Sequence, residues 1–185
     1  MNYDLVSSVY ISIGGDCAVA YQLRKLNLSN EAYPFDWIKI NKINMITDSL
    51  QNNFSNFFEY ELKEGSDLFM NFEYETKSRI HLKLKNGIIL PHESNQFIFD
   101  RKEYENKYTR RIERFNKIVT DKMIRKIFVR ADDKILNEKE KSQLEFEFKK
   151  YGCENFDIVY INYKMYNTNN FTWQRDYIPW TDFFT

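Results

Sequence analysis

Cysteine and histidine are scarce in this chain: its 185 residues hold two of each, Cys17, Cys153, His81 and His92. Two distant cysteines cannot make a disulfide framework, so both are expected to be free thiols. With two histidines they do not reach the spacing of a metal centre either, and neither metal nor other cofactor is expected. An excess of either charge is lacking too, since 27 Lys and Arg face 27 Asp and Glu. No net field therefore draws the chain to nucleic acid or to an anionic membrane. No stretch approaches the roughly 20 apolar residues of a membrane-spanning helix. The opening MNYDLVSSVYISIGGD has no basic start, long apolar run or small-residue cleavage site, so it does not read as a signal peptide. These absences predict a soluble, cytoplasmic protein with no nucleic-acid or membrane partner. No internal repeat or low-complexity linker divides it, and a single domain over 1–185 is expected. An aromatic share of 17% supplies the packing material for its core.

The apolar pattern orders the elements. Val6 to Ile13 is a short β-branched run ending in Gly14-Gly15, which suits a buried strand opening into a tight turn. From Cys17, Val19 or Ala20, Leu23 and Leu26 recur at helical spacing over about three turns. After the Pro34-Phe35-Asp36-Trp37 turn, Asn41 is placed to cap a second helix carrying Ile43, Ile46, Leu50, Phe54 and Phe57 on one face. Ile80, Leu82 and Leu84 alternate with polar residues. Asn86-Gly87 then predicts a two-residue hairpin turn before Ile88 to Leu90.

A third helix is predicted from Lys102 to about Thr120, with Tyr104, Tyr108, Ile112, Phe115 and Val119 inward and Arg110, Arg111 and Arg114 on other faces. Lys126 to Arg130 reads as a buried strand. Asn137 and Glu140 form a capping pair for a fourth helix, which carries Leu144, Phe148 and Tyr151 inward and stops at Gly152. Phe156 to Tyr163 is a last strand. Strand, helix, strand in this half is a βαβ unit, so the class is α/β with an at least partly parallel sheet, flanking helices and a β-hairpin insertion. Around Asn167 to Asn170 a surface loop is expected, and Trp173, Trp180, Phe183 and Phe184 should tie the tail to the body.

Cys17 falls at the first turn of the first helix, where the unpaired N–H groups and the helix dipole favour a thiolate and can hold an oxyanion. It is the candidate nucleophile, with Gly14, Gly15 and Asp16 as the adjoining oxyanion or ligand-binding turn. A nucleophilic cysteine needs an imidazole to take its proton and a group to orient that imidazole. His92, at the end of the hairpin, is the better base. His81 lies on the polar face of an alternating strand, where a solvated histidine is the ordinary reading. Asp36, between Phe35 and Trp37, is the first choice for the orienting residue, although capping the nearby turn would explain it equally well. Glu93, which points away from His92 in an extended segment, and Asn95 and Asp100 are the others. Cys153 follows a helix C-terminus, where the dipole raises a thiol's pKa, and is read as structural.

These residues resemble a bacterial and viral family of papain-like cysteine peptidases over most of the chain. The resemblance rests on Ser12-Ile13-Gly14-Gly15-Asp16-Cys17, then Ala20, Leu23 and Arg24, and then Pro34-Phe35-Asp36-Trp37. It continues through Leu90-Pro91-His92-Glu93, the basic segment Lys107 to Phe115, and Phe128-Val129-Arg130. It implies Cys17 and His92 as a catalytic pair acting on a peptide or amide bond. Two departures stand out. Ile11, Ser12 and Ile13 occupy the region where papain-like enzymes generally carry an oxyanion glutamine, so backbone donors would replace it. Glu93 stands where the family tends to carry Asp.

Other classes compete. Gly15-Asp16-Cys17 after a strand also looks like the nucleophile block of the SGNH esterases, but no histidine follows His92 to complete that triad. A nucleotide-sugar or phosphate-binding domain, glycosyltransferase-like, would use the Gly14-Gly15 turn with Arg110, Arg111, Arg114 or Arg130 as anion-binding residues. Its signal is weak, because two glycines without a full phosphate-loop pattern are commonly only a turn. A non-catalytic interaction module would dock a partner on the aromatic tail, although such aromatics are more often core.

Overall fold

The computed structural model describes residues 8–65, 79–92, 100–134, 136–166 and 172–184. Two three-stranded sheets organise it. In the first, β1 (Ser8–Ser12), β5 (Arg125–Asp132) and β6 (Phe156–Asn162) lie in the order β1-β5-β6, and both pairings are parallel. In the second, β2 (Tyr60–Gly65), β3 (Arg79–Leu84) and β4 (Ile89–Leu90) are antiparallel. The predicted α/β class with a hairpin insertion is what the chain adopts. A parallel pair requires a crossover, and α4 (Glu138–Lys150) supplies it between β5 and β6.

The central strand of the parallel sheet, β5, is buried on both faces, as its run of apolar residues requires. Ile127, Val129 and Ala131 face α1 (Cys17–Lys25) and the C-terminal segment, where Trp180 is buried. Phe128 points to the opposite side, against Phe148 of α4 at 4.0 Å between ring centroids and 15° between planes. That side is shared with α2 (Asn44–Gln51), with α3 (Arg101–Val119), with Leu82, Leu84 and Leu90 of the second sheet and with Ile88 of its hairpin. Each buried Phe or Leu contributes roughly 1.5–3 kcal/mol, and this larger core holds the two sheets together.

Helix ends follow their caps. Asp16 accepts from the Ala18 N–H at the start of α1, and Asp100 from the Glu103 N–H at the start of α3. At α4 Asn137 and Glu140 form the expected reciprocal capping box, and Gly152 ends that helix at φ +93°. The second predicted helix differs. Its N-cap is Ile43 with no side-chain bond rather than Asn41, and it stops at Gln51. Asn53 and Phe54 turn left-handed (φ +46° and +61°), with the Phe54 N–H reaching back to the Ser49 carbonyl. A 3-10 turn, Ser55–Phe58, then carries Phe57 inward. The hairpin loop also differs: Leu84 and Ile88 pair across three residues, Lys85, Asn86 and Gly87, of which only Gly87 has positive φ. A type I turn followed by a left-handed residue is the usual three-residue solution.

In the tail, Phe184 meets Tyr10 and Trp173 meets Tyr21, although Trp173 stays half-exposed. The expected loop at 167–170 lies outside the described residues. Among the described residues no helix is long and apolar enough to cross a membrane.

Candidate active site

Cys17 and His92 arrive from different sheets. Cys17 opens α1 after the Gly14-Gly15 turn that follows β1, and His92 follows β4 by two residues. Their side chains meet with Cys17 Sγ 3.3 Å from His92 Nε2. Cys17 is nearly buried and His92 is exposed.

One short segment sets this meeting. Ile38 and Ile40 are buried, and Lys39 between them exchanges two backbone bonds with Ile89, at 2.9 and 3.2 Å. The Ile40 N–H donates to the Gly15 carbonyl at 3.1 Å. Segment 38–40 is thus bonded to the turn before Cys17 on one side and to the strand before His92 on the other. Arg130 fastens it further. Its guanidinium, 2% exposed, donates to the carbonyls of Ile13 (3.3 Å) and Ile40 (3.0 Å) and to Asp132 Oδ2 (2.6 Å).

The Gly14-Gly15 turn is shaped by close approach. Both glycines have positive φ, and a Cβ on Gly15 would stand 1.6 Å from the Ala131 carbonyl oxygen. The Gly14 carbonyl accepts from Ala131 N–H and its N–H lies 3.4 Å from Ser12 Oγ. Asp16 caps α1 and also accepts from the Tyr163 hydroxyl at 2.8 Å, with Arg175 Nη2 3.6 Å away. Burial nonetheless pushes the Asp16 carboxyl up from the usual carboxylate range.

The Cys17 thiol moves opposite to the expected direction. Burial, and then the neighbouring Asp16 carboxylate, push it up to about 12, against smaller opposing effects of its own backbone N–H and of Lys39. The helix end is present, but a nearly dry sulfur beside a carboxylate favours the neutral thiol. The side chain that faces His92 Nε2 is thus a thiol held toward its neutral form. The Cys17 N–H faces its own sulfur, whereas the Ala18 N–H is engaged by Asp16.

Asp36 is buried, and its carboxylate accepts from the Tyr33 N–H at 3.1 Å while its own N–H donates to the Tyr33 carbonyl. This is the turn-capping role weighed as its alternative. Burial pushes its carboxyl up to about 6, with Arg111, Arg24 and Arg114 pulling the other way.

The arginines divide between jobs. Arg111, buried rather than on an outer face of α3, lies 3.5 Å from the Asp36 carbonyl, and Arg114 donates to the Ala32 carbonyl at 2.6 Å. Arg110 is exposed. Arg130 lines a cavity of about 190 Å³ with Asp132, Lys134 and Tyr160 at the C-terminal ends of β5 and β6. Cys153 is fully buried and pushed up to about 12 by burial. Asp100 caps α3, Glu93 and Asn95 lie outside the described residues, and so does the side chain of His81, a β3 residue. Among the described residues no group of three or more His, Cys, Asp or Glu could hold a metal ion.

Sequence reasoning did not single out Trp37 as a site residue. Its ring stands perpendicular to that of His92 (6.2 Å between centroids, 89°), with the Arg24 guanidinium 5.2 Å from its ring centre. Nor did it find Tyr163 and Arg175, which meet Asp16 from distant parts of the chain.

No solved structure matches the chain. A relative from Acanthamoeba polyphaga mimivirus, "Uncharacterized protein R408", is 32% identical over 127 residues, covering 58% of this chain and 55% of the relative. The chain thus spans about half the length of that curated relative. A family model described as "Putative papain-like cysteine peptidase (DUF1796)" matches residues 8–165, from β1 to the turn after β6 and including both Cys17 and His92, and the chain belongs to that family.

Proposed function

We propose that the protein is a cysteine hydrolase acting on a peptide or amide bond, with Cys17 as nucleophile and His92 as general base and acid. The observation that carries this reading is the 3.3 Å approach of Cys17 Sγ to His92 Nε2, within reach of proton transfer. Membership of the family supports the same class.

The chemistry runs through these two side chains. His92 Nε2, unprotonated in the Nδ1–H tautomer, takes the Cys17 thiol proton as sulfur forms a bond to the substrate carbonyl carbon. The carbonyl electrons move to oxygen, and the Cys17 N–H stabilises the oxyanion. When the C–N bond breaks, Nε2–H protonates the departing amine and leaves a thioester. Water then attacks with His92 taking its proton, and that proton returns to sulfur as the acid is released. Asp36 contributes by holding the Tyr33–Asp36 turn. Because the thiol starts neutral, the pair works by general-base transfer at the moment of attack rather than from a standing ion pair.

Iodoacetamide alkylation resolved for each cysteine by peptide mass spectrometry tests this. Cys17 should react faster than Cys153, with a rise in rate as the imidazole loses its proton. His92→Ala should slow it about tenfold or more and remove that rise, so that the remaining rate climbs only at alkaline pH. A Cys17 indifferent to His92 and as slow as Cys153 overturns the reading.

A further inference from the structure

Trp37 occupies a backbone conformation that bulky side chains rarely enter, with φ at +63°. The chain is fixed on both sides of it. Before it, the Tyr33–Asp36 turn is closed by two hydrogen bonds of 3.1 Å and clasped from α3 by Arg111 and Arg114. After it, Ile38 and Ile40 are buried and Lys39 is bonded to Ile89. Glycine would take the turn without strain, yet the largest of the side chains stands there, so the indole rather than the turn needs a reason.

The indole makes two described ring contacts. The Arg24 guanidinium lies 5.2 Å from the ring centre, and the His92 imidazole stands perpendicular at 6.2 Å. His92 is exposed, so burial does not fix its ring. The approach of Nε2 to the Cys17 sulfur survives only while the imidazole keeps its rotamer. A perpendicular aromatic neighbour restricts that rotation, and a cation on the indole restrains the indole in turn.

We propose that Trp37 is the positioning residue for His92: the indole, held by its left-handed backbone and by Arg24, keeps Nε2 of the imidazole facing Cys17 Sγ. Its reactivity readout rests on the Cys17–His92 reading above, whereas its spectroscopic readout does not.

Trp37→Gly accepts the backbone and deletes the ring. It should fold, slow Cys17 alkylation about tenfold or more, and erase the imidazole-dependent rise in the pH profile. Trp37→Phe, which keeps a ring, should recover most of the rate and the rise. In NMR, the His92 ring protons should move in Trp37→Gly to the shifts of a rotationally averaged imidazole. If His92→Ala slows Cys17 but Trp37→Gly reacts with the wild-type rate and pH profile, the positioning role is overturned and the catalytic pair stands. If His92→Ala has no effect, the catalytic pair fails, and an imidazole as ordered in Trp37→Gly as in wild type overturns the positioning role as well. Should Trp37→Gly not fold, Arg24→Met loosens the indole without touching the strained backbone. A severalfold slowing with displaced His92 signals then supports the role, and unchanged signals overturn it.

Discussion

At Cys17 two effects of opposite sign meet, and their relative size decides the chemistry. The helix N-terminus favours a thiolate by a fraction of a kcal/mol to about 2 kcal/mol. Removing a charged sulfur from water and setting it beside Asp16 outweighs that, and the thiol is pushed up to about 12. Close packing decides matters two residues earlier as well. A Cβ on Gly15 would meet backbone, the Ala131 carbonyl at 1.6 Å, and neither chain can withdraw without breaking the β1–β5 register. Gly15→Ala should therefore lose more than about 4 kcal/mol of stability or fail to fold. Urea unfolding monitored by tryptophan fluorescence measures the loss, and a variant within 1 kcal/mol of wild type would contradict this account. At this scale the sequence was informative where chemistry is local: a cysteine after Gly-Gly-Asp, and one histidine at a hairpin end. It was silent on Trp37, because positive φ at a tryptophan has no compositional sign. It offered Arg130 only as an anion-binding candidate on a buried strand, because only the fold shows its guanidinium donating to the carbonyls of Ile13 and Ile40, from two other segments.

Elements were legible in proportion to how much of their stabilisation is their own. The helix α4 carries both members of its capping box in adjacent sequence, and α3 presents 19 residues of regular apolar spacing. Where tertiary packing decides, periodicity misleads. Phe54 and Phe57 continue the apolar stripe of α2, yet they reach the core through a left-handed break and a 3-10 turn, because the core cluster of Phe35, Phe54, Phe57 and Phe115 sets their positions. A cap is a local device and its effect should remain local. Asn137→Ala removes the acceptor for the Glu140 N–H and should destabilise the protein by about 1 kcal/mol. Circular dichroism in urea should show a lowered midpoint with an unchanged slope, and an unchanged midpoint would mean that packing of Leu144 and Phe148 alone fixes the start of α4.

For the molecule as a whole, Cys17 follows a strand of the parallel sheet and His92 a strand of the antiparallel sheet, so their contact exists only while the two sheets stay in register. Segment 38–40 sets that register, and the Tyr33–Asp36 turn that precedes it carries a carboxyl group in the dry interior. The Asp36 carboxyl, ordinarily near 3.8, is pushed up to about 6 by burial. Between those values the folded chain keeps a proton that the unfolded chain has released. This contribution to stability is therefore complete below about pH 4, declines as pH rises toward 6 and is gone above it. A shift of about two pH units corresponds to roughly 3 kcal/mol, which is a ceiling because local relaxation lowers it. Asp36→Asn keeps an oxygen to accept from the Tyr33 N–H and carries no charge at any pH. The stability of wild type relative to Asp36→Asn should thus fall between pH 4 and 6 and stay level from there to pH 8, as read from urea midpoints of the two proteins side by side. A difference that instead grows with pH would mean that Arg111, Arg24 and Arg114 overcome burial and make the ionised carboxylate a net support of the turn.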